Sequence, residues 1–289
     1  MKKIRLNDGN EMPIISFGTY QMTNLLECEE AVLNALDAGY RAIDTAQSYY
    51  NEEAVGNALS KTNIGRENIF ITTKIWVSNY NYNKTIDSFM VSLKKLQVSY
   101  VDLILIHQPF GYYRESLEAL KFLRSKGYIK SIGISNFYDD KLADLCLFND
   151  DNFAPAVNQI EINPFFQRSN NINNNLKFNV VPQAWAPFAE GRNDIFNNQI
   201  LTTIAKKHNK SVAQVILRWL IERNIPFVTK SINKNRILEN ISIFDFKLDA
   251  SDLSEICNLD LNESQFFKHN EISGVELMYN LVKKRDNNK

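Results

Sequence analysis

The chain has 289 residues with 33 Lys+Arg against 33 Asp+Glu, a net charge of zero. No basic excess is available to draw it to a phosphate backbone or an anionic membrane, so no nucleic-acid or membrane partner is expected. With 44% hydrophobic and 11% aromatic residues it has the makings of a large core, which excludes global disorder. Three cysteines without a CxxC pair and three histidines in all (His107, His208, His269) argue against a disulfide framework and a His-rich metal centre.

The opening MKKIRLNDGNEMPI lacks the apolar run of a signal peptide, and no stretch of ~18 apolar residues is present to span a bilayer. A soluble, cytoplasmic protein is the expectation. Ile4–Leu6 and Met12–Ile14 flank the turn signal Asn7-Asp8-Gly9-Asn10, which predicts a short N-terminal β-hairpin. Beyond it, apolar runs alternate with helix-period stretches. The runs are Ile14–Phe17, Arg41–Ile43, Ile69–Thr73, Val101–Ile106, Ile129–Ile134, Ala156–Gln159, Val180–Ala184 and Pro226–Val228. Between and after them lie Glu27–Ala38, Glu52–Ser60, Asn83–Leu96, Arg114–Ser125, Asp139–Leu147, Ile200–Lys207, Val212–Glu222 and Lys234–Ile241. The asparagine-dense Asn170–Asn175 reads as a solvated loop. Eight strand–helix repeats predict an α/β fold, a single (β/α)8 TIM barrel occupying residues 1–289 as one domain. A doubly wound sheet holding a dinucleotide needs a GxGxxG after an early strand, and none of the ten glycines forms one.

In a parallel barrel the active site gathers at the C-terminal strand ends. The second run ends on Asp44, with Tyr49 five residues on; the third ends on Lys74 and the fourth on His107. Alone, each has a plainer reading: a loop anchor for Asp44, a shield over the barrel mouth for Tyr49, a hydrogen-bonded core histidine for His107. Lys74 resists that treatment, because a lysine on an apolar strand needs an anion, and Asp44 on the neighbouring strand supplies one. Together the four make one device. A phenol with a pKa of ~10 is a weak acid near neutrality. An ammonium against its oxygen lowers that pKa, an aspartate holds the ammonium, and a neutral histidine donates a second hydrogen bond to a carbonyl oxygen. Such a site reduces carbonyls, with Tyr49 giving the proton. The hydride must come from a nicotinamide cofactor, since no side chain supplies one.

The run GYRAIDTAQSYYNE from Gly39, continuing through Val55-Gly56, resembles the signature of the aldo-keto reductases. So do FITTKIW from Phe70, DLILIHQP from Asp102, GISNF from Gly133 and VNQIE from Val157, in order from Gly18-Thr19-Tyr20 to about residue 260. The resemblance places Tyr49, Lys74, Asp44 and His107 at the family's catalytic tetrad. It implies NADPH (NADP) bound across the barrel mouth without a Rossmann domain. Gly18 and Thr19 begin the matching segment and fall at the cofactor site. Ser135, Asn136 and Gln159 match positions that hydrogen-bond the nicotinamide carboxamide, and Trp185 the aromatic ring against its face. Lys230, Ser231, Arg236, Glu239 and Asn240 resemble the site for the adenosine 2′-phosphate and adenine, where a dianion calls for cations. Two departures stand out: Ala186 where many relatives carry a serine, and Thr229 where a proline often precedes the phosphate-site lysine.

By position Tyr20, Trp76 and Gln108 are substrate-pocket candidates. After Asp260 the bulky apolar pair is Phe266-Phe267, which predicts a short C-terminal substrate loop and a wide pocket. The implied activity is NADPH-dependent reduction of aldehydes, with small ketones or 2-oxo compounds as further substrates, by a monomer with no metal. The alternative is a cofactor-binding regulatory subunit on the same fold that acts through a protein partner.

Overall fold

The computed structural model describes residues 2–149 and 151–286. The hairpin pairs β1 (Lys3–Arg5) with β2 (Glu11–Pro13), Ile4 opposite Met12. Gly9 sits in its turn at φ +88°, where a side chain would strain the backbone. Met12 and Leu6 are buried with Ala42, Phe70, Leu103, Leu105, Ala156 and Val157. The hairpin therefore stoppers the N-terminal end of the barrel, and the open end is the opposite one.

Eight parallel strands close the barrel: β3 (Ile15–Gly18), β4 (Ala42–Asp44), β5 (Phe70–Ile75), β6 (Val101–Ile106), β7 (Ile129–Ser135), β8 (Val157–Glu161), β9 (Val181–Trp185) and β10 (Phe227–Thr229). β10 pairs with both β9 and β3, which completes the ring. Every residue of β5 and β6 is buried, as strands covered by helices outside and side chains inside must be. The register puts Asp44 opposite Thr72. Lys74, two residues beyond Thr72, shares its face of the pleat and so reaches the same side of the wall as Asp44.

The crossover helices are α1 (Leu25–Asp37), α2 (Glu52–Lys61), α3 (Tyr82–Leu96), α4 (Tyr113–Ser125), α5 (Asp139–Leu147) and α6 (Ser169–Lys177). After β9 come α7 (Gln199–His208) and α8 (Val212–Glu222), and after β10 come α9 (Lys234–Ile241), α10 (Ala250–Cys257) and α11 (Ile272–Asp286). α8 buries nine of its eleven residues and starts at a capping box in which Ser211 and Gln214 satisfy each other's backbone N–H. It is the crossover that feeds β10, while α7 is an addition beside it.

Strands and most helices lie where the alternation of runs predicts, with ends moved by a residue or two. Three helices depart from expectation. Asn170–Asn175 is helical within α6, not a solvated loop: Ile172 and Asn175 turn inward, and Asn158 donates to Asn175 Oδ1 at 3.0 Å. α10 and α11 add to the eight expected helices. No helix among the described residues is long and apolar enough to cross a membrane.

Candidate active site

The open end of the barrel holds a cleft of about 660 Å³ lined by Tyr49, His107, Trp76, Trp185 and other strand-tip residues. A second cleft of about the same volume lies at the stoppered end, beside Asn7, Asp8, Lys121 and Arg124. It contains none of the strand-tip groups. Among the described residues no group of three or more His, Cys, Asp or Glu is placed to hold a metal ion.

Lys74 is wholly buried, and its ammonium has three acceptors for three protons. They are Asp44 Oδ1 at 2.5 Å, the Thr45 carbonyl at 3.0 Å and Tyr49 Oη at 3.2 Å. Asp44 is held from its other side, where Gln159 Nε2 donates to Oδ2 at 2.7 Å. Tyr49 reaches the ammonium because the chain after β4 makes one tight 3-10 turn over Gln47–Tyr49, stopped by Tyr50 in the left-handed region at φ +59°. Asn51 fixes that turn to β3: its Nδ2 donates to the Thr19 carbonyl at 2.7 Å, and its Oδ1 accepts from Thr19 and Thr45. His107 follows β6 directly. Its ring meets those of Tyr49 (5.7 Å) and Trp76 (5.2 Å) edge to face, and its Nδ1 lies 3.4 Å from Ser48 Oγ.

The electrostatics of the four groups follow from burial and pairing. Burial pushes the Tyr49 phenol above its ordinary pKa of 10.0; Lys74 pulls it down by charge and hydrogen bond, and Asp44 and Tyr20 push it back up. The net direction is upward. The lysine acts as the sequence predicts, but desolvation, which no sequence displays, outweighs it. Burial alone would lower the Lys74 pKa, yet Asp44 and Tyr49 together raise it, so the ammonium stays charged. His107 is held well below 6.5, first by burial and then by Lys74, Arg285 and His269. It is a neutral imidazole at physiological pH.

The cofactor candidates divide. Gly18, Ser135, Asn136, Gln159, Trp185 and Lys230 line the cleft. Trp185 donates from Nε1 to Asn136 Oδ1 at 2.9 Å, which fixes the indole plane. Gln159 Nε2 is occupied by Asp44 and by Gln183 Oε1 at 2.8 Å. Thr19 is buried with its hydroxyl on Asn51, beneath the cleft wall. Ser231 bonds to the backbone of Asn233, which caps α9, and Arg236 is exposed in the first turn of that helix. Glu239 and Asn240 have internal partners instead: the carboxylate accepts from Ser211 Oγ, and the buried amide donates to Thr229 Oγ1 at 3.2 Å. The structure thus puts Lys230 on the cleft, leaves Ser231 and Arg236 beside the start of α9 outside its lining, and ties Glu239 and Asn240 to the neighbouring helix and strand. Ala186 carries φ +48° directly after Trp185, so the chain turns sharply away from the indole.

Of the substrate candidates, Tyr20 lies 4.9 Å from the Tyr49 ring, Trp76 is buried, and Gln108 accepts from His269 Nε2 at 3.0 Å. The C-terminal segment is more elaborate than a short loop. Glu161, at the tip of β8, accepts from Ser264 Oγ at 2.6 Å and from the Gln265 amide at 2.9 Å. This clamp sets Phe266 5.0 Å from the Trp185 ring. α11 then places Leu277, Met278, Leu281 and Arg285 on the cleft, so a fifteen-residue helix narrows the mouth expected to be wide. These positions, with Phe188, Glu190 and Arg192 after β9, were not read from the sequence. The spacing of Leu277, Met278, Leu281 and Arg285 on one helical face is the signal that marks them.

Residues 14–260 match the family model described as the Aldo/keto reductase family. "Methylglyoxal reductase DkgA" of Escherichia coli (strain K12) is 38% identical over 260 residues, covering 89% of this chain and 93% of the relative. "Glyoxal reductase" of Bacillus subtilis (strain 168) is 40% identical over 261 residues, covering 90% and 93%. Among solved structures, an aldo-keto reductase from a Medee basin deep-sea metagenome library superposes with a TM-score of 0.89 at 38% identity, over 93% of this chain and 99% of that one. A Bombyx mori aldo-keto reductase in complex with NADP gives 0.87 at 33% identity, over 95% and 96%. The barrel, its strand-tip residues and these likenesses agree, and the chain belongs to the aldo/keto reductase family.

Proposed function

We propose that this protein is an NADPH-dependent reductase of aldehydes, including small dicarbonyls such as methylglyoxal. The observation that carries the reading is the contact of Lys74 Nζ with Tyr49 Oη at 3.2 Å, backed by Asp44 at 2.5 Å. The names of the relatives and the NADP in a solved neighbour support the substrate class and the cofactor.

The residues at the cleft fit a nicotinamide dinucleotide: a fixed indole face, a row of hydroxyl and amide groups at Ser135, Asn136 and Gln159, and the Lys230 cation in its lining. When bound, the reduced nicotinamide supplies a hydride to the carbonyl carbon. The chain does the rest. Trp185 offers the surface on which the ring lies, Ser135 and Asn136 the groups for its carboxamide, and Gln159 its Oε1, since Nε2 is taken. Lys230 and Arg236, with the Ser231 hydroxyl, suit a 2′-phosphate dianion.

The substrate oxygen is received between Tyr49 Oη and His107. In the tautomer that carries its proton on Nε2, with Nδ1 accepting from the Ser48 hydroxyl 3.4 Å away, the neutral ring donates a hydrogen bond to the carbonyl. Tyr49 delivers its proton to the oxygen as negative charge develops there. Lys74 stabilises the phenolate left behind, and Asp44 with Gln159 keeps Lys74 in place. A regulatory subunit could keep the same four residues, but the relatives compared are named as reductases and nothing among them favours that reading.

The direct test is the initial rate of NADPH consumption by purified protein with methylglyoxal, run beside NADH. Turnover, faster with NADPH, is expected. Absence of turnover in protein whose tryptophan fluorescence still reports NADPH binding would overturn the reading.

A further inference from the structure

Within the reductase reading, on which this inference rests, we propose that Gln183 is a positioning residue: it sets the amide plane of Gln159 so that Gln159 Oε1 faces the nicotinamide carboxamide. Gln183 lies on β9 opposite Gln159 of β8. It stands two residues before Trp185 and so shares that residue's face of the strand. It is buried and lies outside the lining of the cleft, so any effect on the cofactor passes through Gln159.

The donors and acceptors admit one arrangement. A carboxylate only accepts, so Asp44 Oδ2 at 2.7 Å requires Gln159 to present Nε2. The second proton of that amide points at Gln183, 2.8 Å away, where an oxygen is needed; Gln183 therefore turns Oε1 toward it. Gln183 Nε2 then falls toward Ser16 Oγ at 3.5 Å and Met12 Sδ at 3.8 Å, both able to accept. A polar thread thus runs from the hairpin at the stoppered end to Asp44, and Met12, Ser16, Gln183, Gln159 and Asp44 are all buried. With both amide protons engaged inside the barrel, Gln159 has Oε1 left for the cleft that it lines. A single bond to Asp44 would let the amide plane swing; a second bond, to a neighbouring strand, holds it. Without the Gln183 oxygen a buried N–H loses its acceptor, and the amide turns to recover one.

The test is the affinity of the intact, cofactor-free protein for NADP+ and for 3-acetylpyridine adenine dinucleotide phosphate, by calorimetry. The analogue carries a methyl group in place of the carboxamide NH2 and gives Gln159 Oε1 no donor. The unaltered protein binds NADP+ about tenfold tighter than the analogue, and in Gln183→Met, which keeps the chain length without the amide, the preference falls to about twofold or less. An unchanged ratio overturns the proposal, as does an equal loss of affinity for both ligands, which is all that a residue merely filling the barrel would cause. Gln183→Glu preserves the pattern: its buried acid takes a proton, turns its carbonyl to Gln159 and its O–H to Ser16, and keeps a preference of at least about fivefold. Loss of the preference in that variant also overturns the proposal. The side-chain amide protons of Gln159, followed by NMR, need no cofactor. They exchange slowly in the unaltered protein and in Gln183→Glu, and about tenfold or more faster in Gln183→Met; equal exchange in all three overturns the role of Gln183. Failure of the unaltered protein to bind either dinucleotide would count against the reductase reading, and the exchange measurement would still decide whether Gln183 holds the amide.

Discussion

Gln159 Nε2 lies 2.7 Å from Asp44 Oδ2, a bond that crosses the barrel from β8 to β4. Asp44 is therefore gripped at both oxygens, by Gln159 on one and Lys74 on the other. A carboxylate so held keeps one rotamer, and the ammonium that depends on it keeps one position under the phenol. The position of Lys74 is set by the packed barrel interior, and Tyr49 is brought to it by the 3-10 turn after β4.

Lys74→Met tests that arrangement. The change removes the cation beside Tyr49 and leaves a buried carboxylate with a single amide donor. Breaking a buried pair in this way costs about 3–5 kcal/mol, so a lowered denaturant midpoint should accompany loss of turnover. Full activity with unaltered stability would contradict the role given to Lys74.

The pH profile follows from the directions of two shifts. Tyr49 donates only while protonated, and its pKa is raised above 10.0, so reduction keeps its proton donor through neutral and mildly alkaline pH. His107 works as a neutral ring, and its pKa is held well below 6.5. The kcat profile should therefore show no inflection at 6.5. An acid limb centred there, measured with saturating cofactor and substrate, would assign His107 a different protonation state.

Arg236, proposed for the 2′-phosphate, is exposed in the first turn of α9 and has no partner role in the fold comparable to those of Glu239 and Asn240. Charge reversal by Arg236→Glu should raise KM for NADPH at least about tenfold, with much less effect on NADH. Steady-state kinetics with both cofactors checks it, and equal effects would remove Arg236 from the 2′-phosphate site.

What the sequence disclosed, and what it hid, has physical causes. The strands were legible because apolar runs buried on both faces admit few alternatives; Asp44, Lys74 and His107 could be found by asking what ends a run, and Tyr49 lies in the loop five residues past the first of them. α6 was hidden because asparagine is a poor helix former and its apolar residues, Ile172 and Leu176, are too few to set a period. The net shift at Tyr49 was hidden because desolvation depends on chain segments far apart in sequence. Glu239 and Asn240 match the family's spacing, yet their side chains close onto Ser211 and Thr229. Only the folded neighbourhood shows that. Arg285 reaches the site through α11, whose amphipathic face was present in the sequence and unread.

The central claim is that Tyr49 gives the proton. Tyr49→Phe keeps the ring against Tyr20 and His107 and removes one hydroxyl. Single-turnover reduction of methylglyoxal should slow by about 10²–10⁴-fold, while NADPH binding followed by tryptophan quenching stays near that of the unaltered protein. A single-turnover rate within a few-fold of the unaltered protein would mean that another group protonates the carbonyl oxygen, and the mechanism described would be wrong.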